Sequence, residues 1–143
     1  MEKSSIRVLL VDDHNTWRHF SLTTLLKEAG LQVIGEAHDG IDAVQKARQL
    51  EPDLILLDIG LPKLNGIEAA RQIRRIAPKS KILFVSENRS WHIVEEALRS
   101  GGDGYVIKAD AVTDLLPAVK AVLQGKRFVI GSFAQVEGSS TAQ

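Results

Sequence analysis

The chain contains no cysteine, which excludes disulfide staples, thiolate metal sites and thiol nucleophiles. No stretch approaches the roughly 20 consecutive apolar residues of a membrane-spanning helix. The apolar run near the start, IRVLLV, is cut short by Asp12 and Asp13, so it offers no core for a secretion signal. An excess of charge is missing too. Lysine and arginine total 18, and so do aspartate and glutamate, which leaves no broad basic face for nucleic acid or an anionic membrane surface. No glycine-rich loop follows the first apolar run, where a nucleotide-binding fold needs one. What remains is a chain of 143 residues, 44% hydrophobic and 25% charged, the size of one domain with one core. The expectation is a soluble, cytoplasmic domain with no membrane and no nucleic-acid contact of its own.

Short aliphatic runs recur along the chain: IRVLLV (6–11), LQVIGEA (31–37), DLILL (53–57), KILFV (81–85) and GYVIK (104–108). Several are continuous rather than alternating, as expected of parallel strands covered on both faces. Helical spacing fills the gaps. The first helix is expected from about Thr16 to Ala29, burying Phe20 and Leu26. The second follows Asp39-Gly40, with Ile41, Val44, Ala47 and Leu50 inward. A third starts near Asn65-Gly66 and turns Ile67, Ala70, Ile73 and Ala77 inward. The fourth covers about 90–100 with Val94, Ala97 and Leu98 inward, and the fifth about 112–124 with Leu115, Val119 and Leu123 inward. Strict alternation predicts an α/β fold, an open, doubly wound five-stranded parallel sheet with helices on both faces. In such sheets ligands gather at the carboxyl ends of the strands.

Those ends carry Asp12 and Asp13 after the first strand, Asp58 after the third, Ser86 after the fourth and Lys108 after the fifth. Singly, each has a bland explanation. An Asp pair ahead of a helix is most often an N-cap and its neighbour, and the others are ordinary loop residues. Together they predict one site. Two carboxylates about 4 Å apart repel by roughly 1 kcal/mol in water and by roughly 4 kcal/mol at an effective dielectric of about 20. One ammonium does not offset three acids, so a hard divalent cation is expected; Mg²⁺ suits one or two carboxylates, waters and a phosphoryl oxygen. Asp58 beside Mg²⁺, Lys108 and the Ser86 hydroxyl is equipped to accept a phosphoryl group as an acyl phosphate.

VLLVDDH, PDLILLDIGLPKLNGIEA, ILFVS and GGDGYVIK, in that order, resemble a bacterial response-regulator receiver domain. The likeness covers about residues 6–125 and is nearest to the NarL/FixJ subfamily, whose receivers usually precede a LuxR-type helix-turn-helix. The resemblance implies a CheY-like, flavodoxin-like (βα)5 fold with strand order 2-1-3-4-5. It implies Asp58 as phosphoacceptor, Asp12, Asp13, Asp58 and the Gly60 carbonyl as metal ligands, Lys108 as the phosphoryl-binding lysine, and Ser86 and Tyr105 as the switch pair. The partner implied is a sensor histidine kinase or phosphotransfer protein. A homodimer through the fourth helix, fifth strand and fifth helix is a further expectation. In this scheme Ser86 moves toward the phosphoryl group and Tyr105 turns inward behind it. The plain alternative for Tyr105 is a half-buried strand aromatic with a wet hydroxyl.

Three positions depart from the family pattern. Glu87 stands after the switch hydroxyl where a small residue is usual, Ala109 follows Lys108 where many members carry a cis proline, and Gly60 offers no side chain. Residues 1–125 are expected to form the receiver. Residues 126–143, KRFVIGSFAQVEGSSTAQ, hold one short apolar run and then a polar, linker-like stretch with no room for a helix-turn-helix. Trp91 and His92 open the fourth helix, Trp91 either as a partner anchor or packed on the sheet. The four histidines show no metal-ligand spacing, and His14 is given no role. A haloacid-dehalogenase-type phosphatase would need a second acid at position 60. The remaining rival is a receiver-like interaction scaffold that is never phosphorylated, favoured by Glu87 and opposed by the joint presence of the five site residues. Neither reading makes the chain an enzyme beyond self-catalysed phosphotransfer and dephosphorylation.

Overall fold

The computed structural model describes residues 5–129. Six strands alternate with five helices: β1 (Ile6–Val11), α1 (Asn15–Leu26), β2 (Leu31–Ala37), α2 (Gly40–Leu50), β3 (Leu54–Leu57), α3 (Gly66–Ile76), β4 (Lys81–Ser86), α4 (Trp91–Arg99), β5 (Gly104–Ile107), α5 (Ala111–Leu123) and β6 (Phe128–Val129). All strands pair in parallel in the order β2-β1-β3-β4-β5-β6.

The expected strands, helices and order are present, and the strand count is corrected from five to six. Phe128 lies opposite Gly104 and Val129 opposite Tyr105. The short apolar run after α5 therefore extends the sheet. Phe128 packs on one core face and Val129 on the other, so the added strand gains burial on both sides as well as ladder hydrogen bonds.

The strands are buried on both faces because successive side chains point opposite ways. Leu9, Val11, Ile55, Leu57, Ile82, Phe84, Tyr105 and Ile107 join the α2–α3–α4 side. Val8, Leu10, Leu54, Leu56, Leu83, Val85 and Val106 join the α1–α5 side. Fully burying one such side chain contributes roughly 1.5–3 kcal/mol. On the helices, Val44, Ala47, Ile67, Ala70, Ile73, Val94, Ala97, Leu98, Leu115 and Val119 are buried as their spacing predicts.

Phe20, Leu50 and Leu123 pack against the core but are only half-buried, and two residues are not where the spacing put them at all. Leu26 is 65% exposed and Ile41 48% exposed. In α1 the buried residues are Ser21 and Leu25, so Leu26 lies one residue, about 100° of helix, round from the core face. In α2 the buried stripe is Gly40, Ala43, Val44 and Ala47, and Ile41 falls beside it.

Local chemistry starts the helices where the site needs them. The Asp39 side chain accepts from Asp42 N at 2.7 Å, and Asn65 accepts from Ile67 N and Glu68 N at 2.9 and 3.0 Å, satisfying donors that the first turn leaves free. Asp103, in the GGDG turn, accepts from Ile82 N at 2.8 Å and ties that turn to the start of β4. Pro117 lies exposed inside α5. Its missing N–H breaks the bond to the Thr113 carbonyl, and the turn is held by its buried neighbours Leu115, Ala118 and Val119.

Candidate functional site

The parallel register brings the strand ends together. Val11 lies opposite Leu57, so Asp12 and Asp58 are the next residues on neighbouring strands. Leu57 lies opposite Phe84 and Ser86 opposite Ile107, which sets Ser86 and Lys108 beside them. Asp12, Asp58 and Ser86 are all buried, whereas Asp13 stays exposed at the rim.

The lysine closes the cluster. Lys108 Nζ lies 2.7 Å from Asp12 Oδ2 and 3.2 Å from Asp58 Oδ2. The Asp12 contact is a charge contact without hydrogen-bond alignment, since Asp12 Oδ2 has no hydrogen-bond donor. Asp58 Oδ1 accepts from Ile59 N at 2.8 Å. Lys108 begins a 3-10 turn, Lys108–Asp110, that leads into α5, and no peptide bond among the described residues is cis.

Burial pushes the Asp58 carboxyl above the ordinary carboxylate range; the Lys108 charge opposes this and the Asp12 charge adds to it. Burial pulls the Lys108 ammonium down, but the neighbouring carboxylates of Asp12 and Asp58 outweigh that and leave it raised. Counted by residue, the site sets three carboxylates, those of Asp12, Asp13 and Asp58, against the one ammonium of Lys108.

Neither acid of the pair caps α1. His14 is the N-cap residue and makes no side-chain cap bond, while Asp12 Oδ1 accepts from His14 N at 2.8 Å. The structure also adds a residue that the sequence reading passed over. His14 Nδ1 lies 3.2 Å from Asp12 Oδ1 and 3.2 Å from Asp13 Oδ1. One ligand atom from each of Asp12, Asp13, His14 and Asp58 falls within 4.8 Å of the others. The adjacency in VLLVDDH was the available signal, but it carries no repeat spacing of the kind by which histidine ligands are recognised. A cluster dominated by carboxylate oxygens, with one buried ammonium against three acids, fits a hard divalent cation.

Gly66 lets α3 approach the site. A Cβ there would fall 2.0 Å from the Asp58 carbonyl oxygen, so only glycine allows this packing. Gly60 is exposed, and a Cβ there would meet nothing within 4 Å.

Ser86 Oγ accepts from Asn88 N at 3.2 Å. Tyr105 is fully buried, and its hydroxyl donates to the Asn88 carbonyl at 2.8 Å, which excludes the half-buried ring with a wet hydroxyl. Burial raises the Tyr105 phenol, a bond with Ser86 opposes this, and the Asp58 charge adds to it. Trp91 is half-buried and packs against the α2–α3–α4 core, as the packing alternative expected. His92 is exposed. No helix among the described residues is long and apolar enough to cross a membrane.

The family described as the response regulator receiver domain matches residues 8–120. The response regulator GacA of Pseudomonas viridiflava is 35% identical over 130 residues, covering 91% of this chain and 61% of GacA. A solved two-component response regulator of the LuxR family from Aurantimonas superposes with a TM-score of 0.90 at 31% identity, covering 98% of this chain and all of that one. RcsB from Salmonella enterica serovar Typhimurium, solved bound to a promoter with the phosphomimetic BeF₃⁻, superposes with a TM-score of 0.86 at 25% identity, covering 97% of this chain and 69% of RcsB. The chain therefore spans less than two thirds of the GacA relative it matches. With the strand-end acids, the parallel sheet and these likenesses together, the chain belongs to the receiver-domain family of two-component response regulators, within its NarL/FixJ type.

Proposed function

We propose that Asp58 is the phosphoacceptor of this receiver, taking a phosphoryl group from a phosphohistidine of a sensor kinase or phosphotransfer protein. The carrying observation is the buried Asp58 carboxylate, 3.2 Å from Lys108 Nζ and within 4.8 Å of ligand atoms from Asp12 and Asp13. In the transfer, one Asp58 oxygen forms a bond to phosphorus as the donor's nitrogen–phosphorus bond breaks, and the electron pair leaves with the imidazole. Attack requires the carboxylate to be ionised. Lys108 favours that form, against the burial that raises Asp58. Asp12, Asp13 and Asp58 would hold Mg²⁺, with the Gly60 carbonyl as a further ligand. Mg²⁺, when bound, supplies charge neutralisation for the phosphoryl oxygens. Lys108 binds one of those oxygens, and Ser86 donates its hydroxyl to another.

The added group carries about −1.5 to −2 charges. Ser86, drawn toward it, gives up its place beside Tyr105, whose ring stays inward. The expected inward turn of Tyr105 is corrected, because the ring is already buried here; the phosphoryl group then acts by deepening an existing conformational preference rather than creating a new one. The change is presented on the surface formed by α4, β5 and α5, now bordered by β6, and a homodimer through that face follows from the same reading.

The scaffold alternative rests on Glu87, which is exposed and lines one groove with His14 and Lys108. Exposing the protein to a small acyl-phosphate donor and weighing it intact separates the two. A single Mg²⁺-dependent phosphoryl adduct supports the phosphoacceptor reading. No adduct from that donor or from a cognate kinase supports the scaffold.

A further inference from the structure

We propose that Trp17 is a positioning residue for Lys108: its indole face holds the ammonium beside Asp12 and Asp58, and efficient phosphorylation of Asp58 depends on that hold. The inference rests on the phosphoacceptor reading above. Lys108 Nζ lies 5.1 Å from the centroid of the Trp17 ring, within the range in which a cation is attracted to the face of an aromatic ring. The ammonium has three N–H donors, and the two carboxylates occupy two of its contacts. The lysine side chain is only 9% exposed, so the ring stands where water would otherwise have to enter.

Trp17 is itself held. It lies in the first turn of α1 and packs on the α1–α5 side of the core. Its ring meets Phe20 at 4.9 Å between centroids, tilted by 36°. It lines the small cavity beside Asp12 and Asp58 and also the outer groove that contains Lys108 and Glu87. The indole therefore borders both the cavity beside the carboxylates and the groove that Lys108 shares with Glu87.

Glu87 is what makes the hold of the ring matter. Lysine has a long, flexible stem, and an exposed carboxylate in the same groove offers its ammonium a competing partner. Without the ring, Lys108 is free to swing toward Glu87 and leave Asp58 short of the charge that transfer needs. A small residue at position 87 would remove that competition.

The test compares phosphoryl incorporation from a small acyl phosphate at fixed Mg²⁺ in four folded proteins: parent, Trp17→Phe, Trp17→Leu, and Trp17→Leu with Glu87→Gln. Trp17→Leu is expected to slow incorporation by about threefold to tenfold, the range a partly desolvated cation–aromatic contact gives. Trp17→Phe keeps most of the rate, and Glu87→Gln restores most of what Trp17→Leu loses. Fluorinated tryptophans withdraw charge from the ring face at nearly constant shape. They should lower the parent's rate stepwise and leave Trp17→Leu unchanged, since Trp91 is the other tryptophan in the sequence. Independently of phosphorylation, proton NMR should show an upfield ring-current shift of the Lys108 Hε signals that Trp17→Leu abolishes. Equal rates in parent and Trp17→Leu, or no response to fluorination, would overturn the proposal while leaving the site reading intact. A parent that takes up no phosphoryl group sinks the site reading and this proposal with it.

Discussion

Replacing Lys108 with methionine removes the ammonium while keeping an apolar stem, and the structure sets the size of the effect. The ammonium lies 2.7 Å from Asp12 Oδ2 and 3.2 Å from Asp58 Oδ2. At an effective dielectric of about 20, each contact is worth about 5–6 kcal/mol of Coulomb attraction. Releasing a buried ammonium to water returns several kcal/mol of that. The two acids are left without their counter-charge, at a repulsion of about 3.5 kcal/mol for the 4.8 Å limit on their separation. Asp58 limits the cost by taking up a proton, since it is already biased toward its neutral form. Breaking a buried pair by removing one partner generally costs about 3–5 kcal/mol, and the lower end applies here. At about 3 °C per kcal/mol for a chain of this size, Tm at pH 7 without divalent cations should fall by about 10 °C. Mg²⁺ should then recover more stability in the variant than in the parent, because a second cation serves the same carboxylates. Differential scanning calorimetry with and without Mg²⁺ measures both quantities. A variant within about 2 °C of the parent in the cation-free buffer would refute the charge account.

Three further outcomes follow from the same geometry. Asp58 binds its proton more tightly folded than unfolded, so its contribution is greatest below its ordinary pKa and is lost as pH rises through the raised value. Asp58→Asn should therefore melt a few degrees higher than the parent at pH 7 without metal, and chemical denaturation across acidic pH should show that the parent's decline with rising pH is reduced in the variant. Tyr105→Phe deletes the hydroxyl that donates to the Asn88 carbonyl; the expected cost is about 1 kcal/mol, read as a Tm lower by about 3 °C. Gly66→Ala drives a methyl group against the Asp58 carbonyl oxygen. It should destabilise by about 1–3 kcal/mol and, by shifting the acceptor, slow phosphoryl incorporation by about tenfold or more.

Much of the fold was legible because its signals are local and repeated. Continuous aliphatic runs such as DLILL read as strands buried on both faces, and the α3 and α4 apolar stripes matched the buried residues. The site was legible for a related reason: parallel strands carry their ends to one edge, so strand ends alone group Asp12, Asp58, Ser86 and Lys108. The misses depended on tertiary context. Leu26 and Ile41 are apolar residues next to a buried stripe, and only the packed helix phase shows that they fall outside it. Phe128 and Val129 form too short a run to read as a strand until β5 presents an open edge. Trp17 gave no sequence signal at all, because its contact with Lys108 joins α1 to the turn after β5, far apart in the chain. His14 was visible as a neighbour of the acid pair, but its position within bonding distance of both needed the loop geometry.

The most direct test of the central claim is to locate the phosphoryl group on the chain. The protein, treated with an acyl-phosphate donor and Mg²⁺, is reduced with borohydride, which converts an aspartyl phosphate to homoserine, and is then mapped by peptide mass spectrometry. Homoserine at position 58 alone, dependent on Mg²⁺ and absent in Asp58→Asn, is the expected result. Homoserine at another aspartate with position 58 unchanged would contradict it.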